Sequence, residues 1–119
     1  MITSYKDLIV WQRSMELVIE IYKLTDSFPK TETYGIISQM RRCSVSIPSN
    51  IAEGRQRGTR KELRQFMIIS YGSAAELETQ IEISKRLNFT KLEKYEKVDK
   101  LLEETLKMLN KIISTLNSK

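Results

Sequence analysis

The spacing of apolar residues constrains the fold of this chain more than any other feature of its sequence. Apolar side chains recur at steps of three and four residues, and no segment alternates apolar and polar residues as a strand does. Only four glycines and two prolines interrupt this pattern. It predicts an all-α chain of one domain over residues 1–119, with helices at about 5–25, 32–56, 60–87 and 91–116.

Long helices with short connections favour an antiparallel, up-down-up-down four-helix bundle. The second, third and fourth helices each carry one apolar seam that is expected to face the core. These seams are Ile36, Met40, Cys43, Ile47 and Ile51; Leu63, Met67, Ser70, Ala74, Leu77, Ile81 and Ser84; and Tyr95, Val98, Leu102, Thr105, Leu109, Ile112 and Leu116. Pro48 lies inside the second helix, where its missing N–H predicts a kink.

The first helix is apolar on more than one side. One stripe comprises Leu8, Trp11, Met15, Val18 and Tyr22, and a second set beside it comprises Ile9, Val10, Leu17, Ile21 and Leu24. This surface is wider than the core of a four-helix bundle requires. The sequence leaves two explanations open, a deeply buried helix or a subunit interface.

Several residues predict where helices begin, end and approach each other. Phe28-Pro29 ends the first helix, and Asn88 ends the third. Thr59–Glu62 and Thr90–Glu93 have the spacing of capping boxes that open the third and fourth helices. Gly72 lies among small residues, which predicts close approach by another helix, the one that bears Trp11.

Positive charge is concentrated in residues 41–64. Glu53 and Glu62 are the only acids there, so the local net charge is +5, the value for the whole chain. Residues 55–64 are predicted to lie around the turn between the second and third helices, at one end of the bundle. Cations there can reach phosphates, and the N-terminal amides of the third helix add to the positive field. No aromatic residue lies among the cations, so base stacking is not indicated. The candidate nucleic-acid-binding residues are Arg41, Arg42, Arg55, Arg57, Arg60, Lys61 and Arg64.

A polar stripe runs along the second helix beside its apolar seam. Its middle is uncharged, which favours a hydrogen-bond network between helices over an ordinary solvated face. Arg42 is a candidate for a buried pair with Glu76 or Glu78 of the third helix, as an alternative to a phosphate contact. The predicted structural polar network is Gln39, Arg42, Ser46, Asn50, Glu53, Glu76 and Glu78.

The side chains of this sequence do not favour catalysis. The chain has no histidine, so the Glu-x-x-His di-iron site of some bundles is impossible, and its glycines lack the ending of a P-loop. Cys43, the one thiol, sits at an apolar helical position typical of a small core residue; a thiolate activated by Arg41 and Arg42 is the alternative. We therefore predict no enzyme, with no catalytic residue, cofactor or metal site.

The location of the chain is expected to be cytoplasmic. A single cysteine favours a reducing compartment, and the N-terminal residues do not have the pattern of a signal peptide. No apolar run reaches the roughly 18 residues of a membrane span. We expect no membrane partner.

A set of motifs in chain order resembles a known family. The matching residues are Leu8 to Gln12, Phe28-Pro29, Glu32, Tyr34-Gly35, Gln39, Arg41-Arg42, the string SIPSNIAEG at 46–54, Gly72-Ser73 and Glu76 to Thr79. They resemble the four-helix-bundle proteins encoded in intervening sequences of bacterial 23S ribosomal RNA genes, also called S23 ribosomal proteins. The likeness runs from about Tyr5 to Leu116, and SIPSNIAEG is its most specific part.

The resemblance implies an antiparallel four-helix bundle that assembles into a ring, typically a homopentamer. The chain is also similar to the accessory variability protein of diversity-generating retroelements, a pentameric barrel that binds reverse transcriptase and nucleic acid. Six positions match the family pattern and are interpreted as structural or interface residues. They are Asn50, Glu53, Gly54, Ser73, Glu76 and Glu78.

Two functions follow as hypotheses. The first is a non-enzymatic, oligomeric RNA- or DNA-binding protein associated with 23S rRNA intervening sequences, which uses the basic turn between the second and third helices. The alternative is a protein-interaction or accessory module, in the manner of a reverse-transcriptase accessory subunit, with no nucleic-acid specificity of its own.

Overall fold

Four long α-helices make up most of the chain in the computed structural model, which describes residues 4–117. The helices are α1 (Ile9–Asp26), α2 (Ser38–Arg57), α3 (Arg60–Arg86) and α4 (Glu96–Asn117). The shorter helical turns are Tyr5–Asp7, Lys30–Glu32, Thr33–Ile37 and Leu92–Tyr95. None of residues 4–117 lies in a β-strand, so the all-α prediction is confirmed.

The helix ends follow most of the predicted boundaries. The Thr59 hydroxyl accepts a hydrogen bond from the Glu62 N–H at 3.1 Å and caps α3, and Asn88 has a φ of 57° just after α3 ends. The predicted cap at Thr90 is wrong, because a 3-10 turn follows Lys91 and α4 begins only at Glu96. The predicted start of the second helix is also corrected, since α2 begins at Ser38, after a break in helical geometry at Gly35.

The core seams predicted for α2, α3 and α4 are confirmed. Met40, Ile47 and Ile51 of α2 are fully buried, and so are Ala74 and Leu77 of α3. In α4, Val98, Leu102, Thr105 and Leu109 are buried, while Ile112 and Leu116 pack partly buried against the core. α2 continues through Pro48, which is buried within the helix.

The side of α1 that faces the core is not the side that carries the longest apolar stripe. Its buried residues include Val10, Leu17 and Ile21, members of the set beside that stripe. Met15 and Tyr22, which belong to the stripe, are exposed by 39% and 41%. Leu8 and Trp11 of the stripe pack partly buried against the core, so the outer part of the apolar surface of α1 is the part around Met15 and Tyr22.

Close helix approach occurs at Gly54 and not at Gly72, so the prediction for Gly72 is wrong within the single chain. A Cβ built at Gly54 would lie 2.7 Å from the Cβ of Phe66, a distance that real Cβ atoms do not show. A Cβ at Gly72 would meet no atom within 4 Å. Further along this contact between α2 and α3, the buried Ser70 hydroxyl donates to the Ile47 carbonyl at 2.9 Å.

Contacts between helix ends show which of them lie together in the 46 × 22 × 21 Å molecule. The end of α2 lies against the start of α3, where Gly54 meets Leu63 and Phe66. The start of α3 reaches the end of α4, since Arg60 donates to the Thr115 carbonyl. One end of the molecule therefore gathers the α2–α3 turn and the last turn of α4.

Candidate nucleic-acid interface

The turn between α2 and α3 brings five predicted cationic residues to one end of the molecule. Gly58 adopts a left-handed φ of +89° after α2, a conformation that favours glycine, and α3 begins two residues later. We call this end the basic tip; it comprises Arg55, Arg57, Arg60, Lys61 and Arg64. Lys61 is exposed, whereas Arg55 and Arg64 are half-buried.

Two arginines of the basic tip hold the end of α4. The Arg60 guanidinium donates to the Thr115 carbonyl at 3.0 Å, and Arg64 Nε donates to the Ile113 carbonyl at 3.3 Å. The last four carbonyls of a helix have no partner within it, so the bond from Arg60 satisfies a Thr115 carbonyl that otherwise needs water, whereas the Ile113 carbonyl lies just before these four. A carbonyl acceptor carries no formal charge, so the bond to Ile113 positions the Arg64 guanidinium without the neutralisation that a carboxylate would bring.

Arg57 contacts two carboxylates and an aromatic ring. Its guanidinium pairs with Glu53 at 2.9 Å and with Glu62 at 3.6 Å, and it lies 5.1 Å from the centre of the Phe66 ring. Both carboxylates are about half exposed, so the pairs are screened by water. Two carboxylates therefore offset the charge of Arg57.

An open groove of about 870 Å³ lies along the start of α3. Arg60, Lys61 and Arg64 line it together with Ile68 and with Leu116 from α4, so cations border an aliphatic floor. Leu116 was predicted as a core residue and not as part of a site. Only the packing of α4 against α3 brings it there, and its sequence position gives no indication of that role.

The predicted binding residue Arg41 lies in another part of the molecule. α2 separates Arg41 from Arg55 by about 20 Å along its axis, at about 1.5 Å per residue. Arg41 donates to the Thr25 hydroxyl at 2.9 Å and pairs with Asp26 at 3.1 Å. It also lies 4.5 Å from the centre of the Tyr22 ring. Arg41 thus joins the start of α2 to the end of α1.

The predicted polar network does not link helices within the single chain. The Ser46 hydroxyl donates to the Cys43 carbonyl at 2.7 Å, and the Asn50 amide donates to the Ser46 carbonyl at 2.8 Å, so both serve their own helix. Glu53 pairs with Arg57, also in α2. The remaining predicted members are exposed; they are Gln39, Arg42, Glu76 and Glu78.

The predicted buried pair of Arg42 with Glu76 or Glu78 is likewise wrong for the single chain. Arg42 is exposed, and within residues 4–117 no carboxylate lies in ion-pair distance of it. Arg42 points away from the core because its neighbours Met40 and Cys43 occupy the inner face of α2.

Cys43 lies between α2 and α3, only 8% exposed. Its thiol donates to the Ser73 carbonyl at 3.0 Å. Burial raises the pKa of the thiol from an ordinary 9.0 to about 12, and the nearby Glu76 carboxylate adds to the rise. The interpretation of Cys43 as a small core residue is confirmed, and its thiol stays protonated at neutral pH.

Within residues 4–117, no three His, Cys, Asp or Glu side chains come together in a way that could hold a metal ion. No helix in the same range combines the length and apolar character needed to cross a membrane.

Comparison with known proteins identifies a family and a solved structure with a similar fold. Residues 6–111 match the family model described as the 23S rRNA-intervening sequence protein. The fold is similar to the 1.70 Å crystal structure of a protein of unknown function from the S23 ribosomal protein family of Bacteroides thetaiotaomicron. That similarity has a TM-score of 0.78 and 27% identity, and covers 88% of this chain and 98% of the other. No curated protein matches the sequence.

Proposed function

The chain belongs to the 23S rRNA-intervening sequence protein family, and from that premise we propose that it is a non-enzymatic, oligomeric protein that binds RNA or DNA through its basic tip. The ligand is the phosphate backbone, contacted without base readout. The cytoplasm, where such nucleic acids are present, is its proposed location.

The observation that carries the proposal is the arrangement of Lys61 and Arg64 on the first turns of α3. Lys61 is exposed, and Arg64 is positioned by a carbonyl that does not neutralise it. Both lie where the amides of the α3 N-terminus add a positive field. Arg60 stands beside them on the same groove. A fixed guanidinium loses less conformational entropy when it meets a phosphate than a mobile one does.

Assembly is part of the proposal. Each subunit is taken as an up-down-up-down antiparallel bundle, and copies are arranged in a ring, with a homopentamer as the expected size. A ring repeats the basic tip, so several weak phosphate contacts act together on one nucleic acid and raise the overall affinity. The exposed apolar side of α1 supports this assembly, because a lone soluble chain gains nothing from exposing it.

Cys43 supports the non-enzymatic part of the proposal. A nucleophilic thiol needs a lowered pKa and access to substrate. Cys43 has a raised pKa and is buried. An activity abolished by Cys43→Ala in a folded protein would contradict the proposal.

The test is a filter-binding titration against a structured RNA and a DNA duplex at two salt concentrations. The variant Lys61→Glu/Arg64→Glu is compared with Lys91→Glu/Lys94→Glu, which makes the same change in charge near the start of α4. We expect the first variant to lose at least about tenfold in affinity and to show a shallower salt dependence, because each lost phosphate contact removes about 0.9 from the slope on DNA. Equal binding by the two variants would refute the basic tip as the interface.

A second candidate function is a protein-interaction module that acts as an accessory subunit. The aliphatic floor of the groove, formed by Ile68 and Leu116 beside Arg64, favours it. Such a floor suits an acidic, partly apolar segment of another protein better than it suits a sugar-phosphate chain. Nucleic-acid retention that requires a second protein, and is absent for the chain alone, would favour this candidate.

A further inference from the structure

The outer side of α3 has the features of a helix-packing surface, yet its residues are exposed and no other helix of residues 4–117 covers them. Its outer stripe comprises Ile68, Gly72, Ala75, Thr79 and Ile83, which follow each other at steps of three and four residues and so share one face. Ile68 and Ile83 are each 44% exposed. A glycine in mid-helix costs about 1 kcal/mol relative to alanine, and no contact inside the chain accounts for Gly72.

A complementary surface lies on the opposite pair of helices. The α1–α2 groove, about 310 Å³ in volume, is lined by Trp11, Met15 and Val18 from α1 and by Val45 and Ala52 from α2, among others. None of the residues that line it is charged. The outer stripe of α3 is also uncharged, so the two surfaces match in polarity. The stripe is one face of a helix and the groove lies between two helices, so the two also match in shape.

The charges beside the two surfaces are opposite. Arg42 lies one helical turn before Val45, on the side of α2 that borders the groove. Glu76 lies one turn after Gly72 and one before Thr79, beside the outer stripe and on the side of α3 near Cys43. Neither Arg42 nor Glu76 has an ion-pair partner among residues 4–117.

Arg42 and Glu76 also lie at the same height in the bundle. The Cys43 thiol bonds to the Ser73 carbonyl at 3.0 Å, which fixes α2 and α3 in register at this level. Rotation about an axis parallel to the helices preserves height, so Arg42 of one copy comes level with Glu76 of the next. The pair that is not formed within the chain can therefore form between chains.

We propose that the outer stripe of α3 in one copy packs into the α1–α2 groove of a second copy, with Arg42 paired to Glu76 across the contact. The inference rests on the proposed homo-oligomer and specifies which faces meet. Because the two faces are different, the contact is heterologous, and its repetition closes into a ring when the rotation per copy divides a full turn.

The test uses charge reversal and the mixing of purified chains. Arg42→Glu and Glu76→Lys are each expected to weaken self-association by at least about tenfold, and an equal mixture of the two is expected to associate more strongly than either variant alone, because every contact between unlike copies joins opposite charges. A ring of five cannot alternate completely, so light scattering compares the mass of the mixture with that of each variant. Rescue by mixing separates contacts between chains from those within one chain, since no internal pair is restored in either. Lys100→Glu, on the exposed side of α4, is the control and is expected to assemble like the wild type.

A second variant tests the apolar contact. Gly72→Leu adds a side chain to a position with no neighbour within 4 Å, so the chain itself is expected to fold, as circular dichroism would verify, while assembly is lost. An assembled wild type whose mass is unchanged by Arg42→Glu and by Gly72→Leu would overturn this inference and leave the proposed oligomer standing. A wild type that is monomeric at all concentrations would overturn both.

Discussion

The two faces of α3 use small residues for opposite purposes. On its inner face, Ser70 and Ala74 are fully buried against α2, where Gly54 lets the backbones approach closely. On its outer face, Gly72 and Ala75 are exposed, and no atom of the chain lies near the position of a Cβ on Gly72. Small residues therefore indicate a packing surface without saying whether the partner is in the same chain. Three comparisons between inner contacts and outer faces, and a test of the inner contact at Cys43, examine this difference.

The largest expected effect comes from truncating matched residues on the two faces. Leu77→Ala removes a side chain with 0% exposure and is expected to lower the free energy of unfolding by about 2–5 kcal/mol, through lost burial and a cavity. Ile83→Ala, at 44% exposure, is expected to change it by less than about 0.5 kcal/mol in the monomer. Urea unfolding followed by circular dichroism measures both. Similar losses for the two variants would contradict the assignment of the faces.

The two glycines are expected to respond in opposite directions. Gly54→Ala places a methyl group 2.7 Å from the Cβ of Phe66, so overpacking is expected to cost about 1–3 kcal/mol. Gly72→Ala meets no atom and is expected to stabilise the monomer by up to about 1 kcal/mol through helix propensity. Thermal unfolding at low protein concentration is the measurement, and destabilisation by Gly72→Ala would show an inner contact at that position.

Adjacent arginines on α2 provide the third comparison. Arg41→Ala removes bonds to Thr25 and Asp26 and the contact with the Tyr22 ring, and is expected to cost about 1 kcal/mol after allowance for partial exposure. Arg42→Ala is expected to leave monomer stability unchanged to within about 0.5 kcal/mol. Urea unfolding at protein concentrations too low for association measures both. Equal costs would show that Arg42 also makes stabilising contacts within the single chain.

The smallest effect on stability concerns Cys43, at the inner contact of α2 and α3. Its folded pKa of about 12 exceeds the ordinary 9.0, so its contribution to stability is complete below pH 9 and is lost as the pH rises toward 12. Between pH 8 and pH 11 the wild type is expected to lose more stability than Cys43→Ala, in which Tyr95 still titrates. Iodoacetamide at pH 8 is expected to modify the unfolded thiol much faster than the folded one. Equal rates would show that the thiol is accessible.

The features that could be predicted from the sequence are those that depend on a single local pattern of residues. The seams of α2, α3 and α4 were predictable because each of these helices has one dominant apolar face. The cap at Thr59 and the stop at Asn88 were predictable because they depend on neighbouring residues alone. The clustering of Arg60, Lys61 and Arg64 also needed only the turn at Gly58.

The errors occurred where two local patterns were equivalent. α1 has two apolar sides, and periodicity gives no reason to prefer Leu17 over Met15 for the core. Gly54 and Gly72 both lie in helices among apolar residues, and only the position of the Phe66 side chain distinguishes the enclosed glycine from the exposed one. Arg41 and Arg42 are adjacent cations, and their different contacts depend on where Thr25 and Asp26 of α1 come to lie.

The sequence by itself determined four helical segments, the apolar seams of three of them and a concentration of positive charge at one turn. These follow from spacing along the chain, because helical geometry converts spacing directly into faces. The tertiary structure alone decided which side of α1 is buried, which glycine is enclosed and which arginines are held by other groups. Those outcomes depend on contacts between residues distant in sequence, whose energies are set by the positions of the helices and not by the order of the residues.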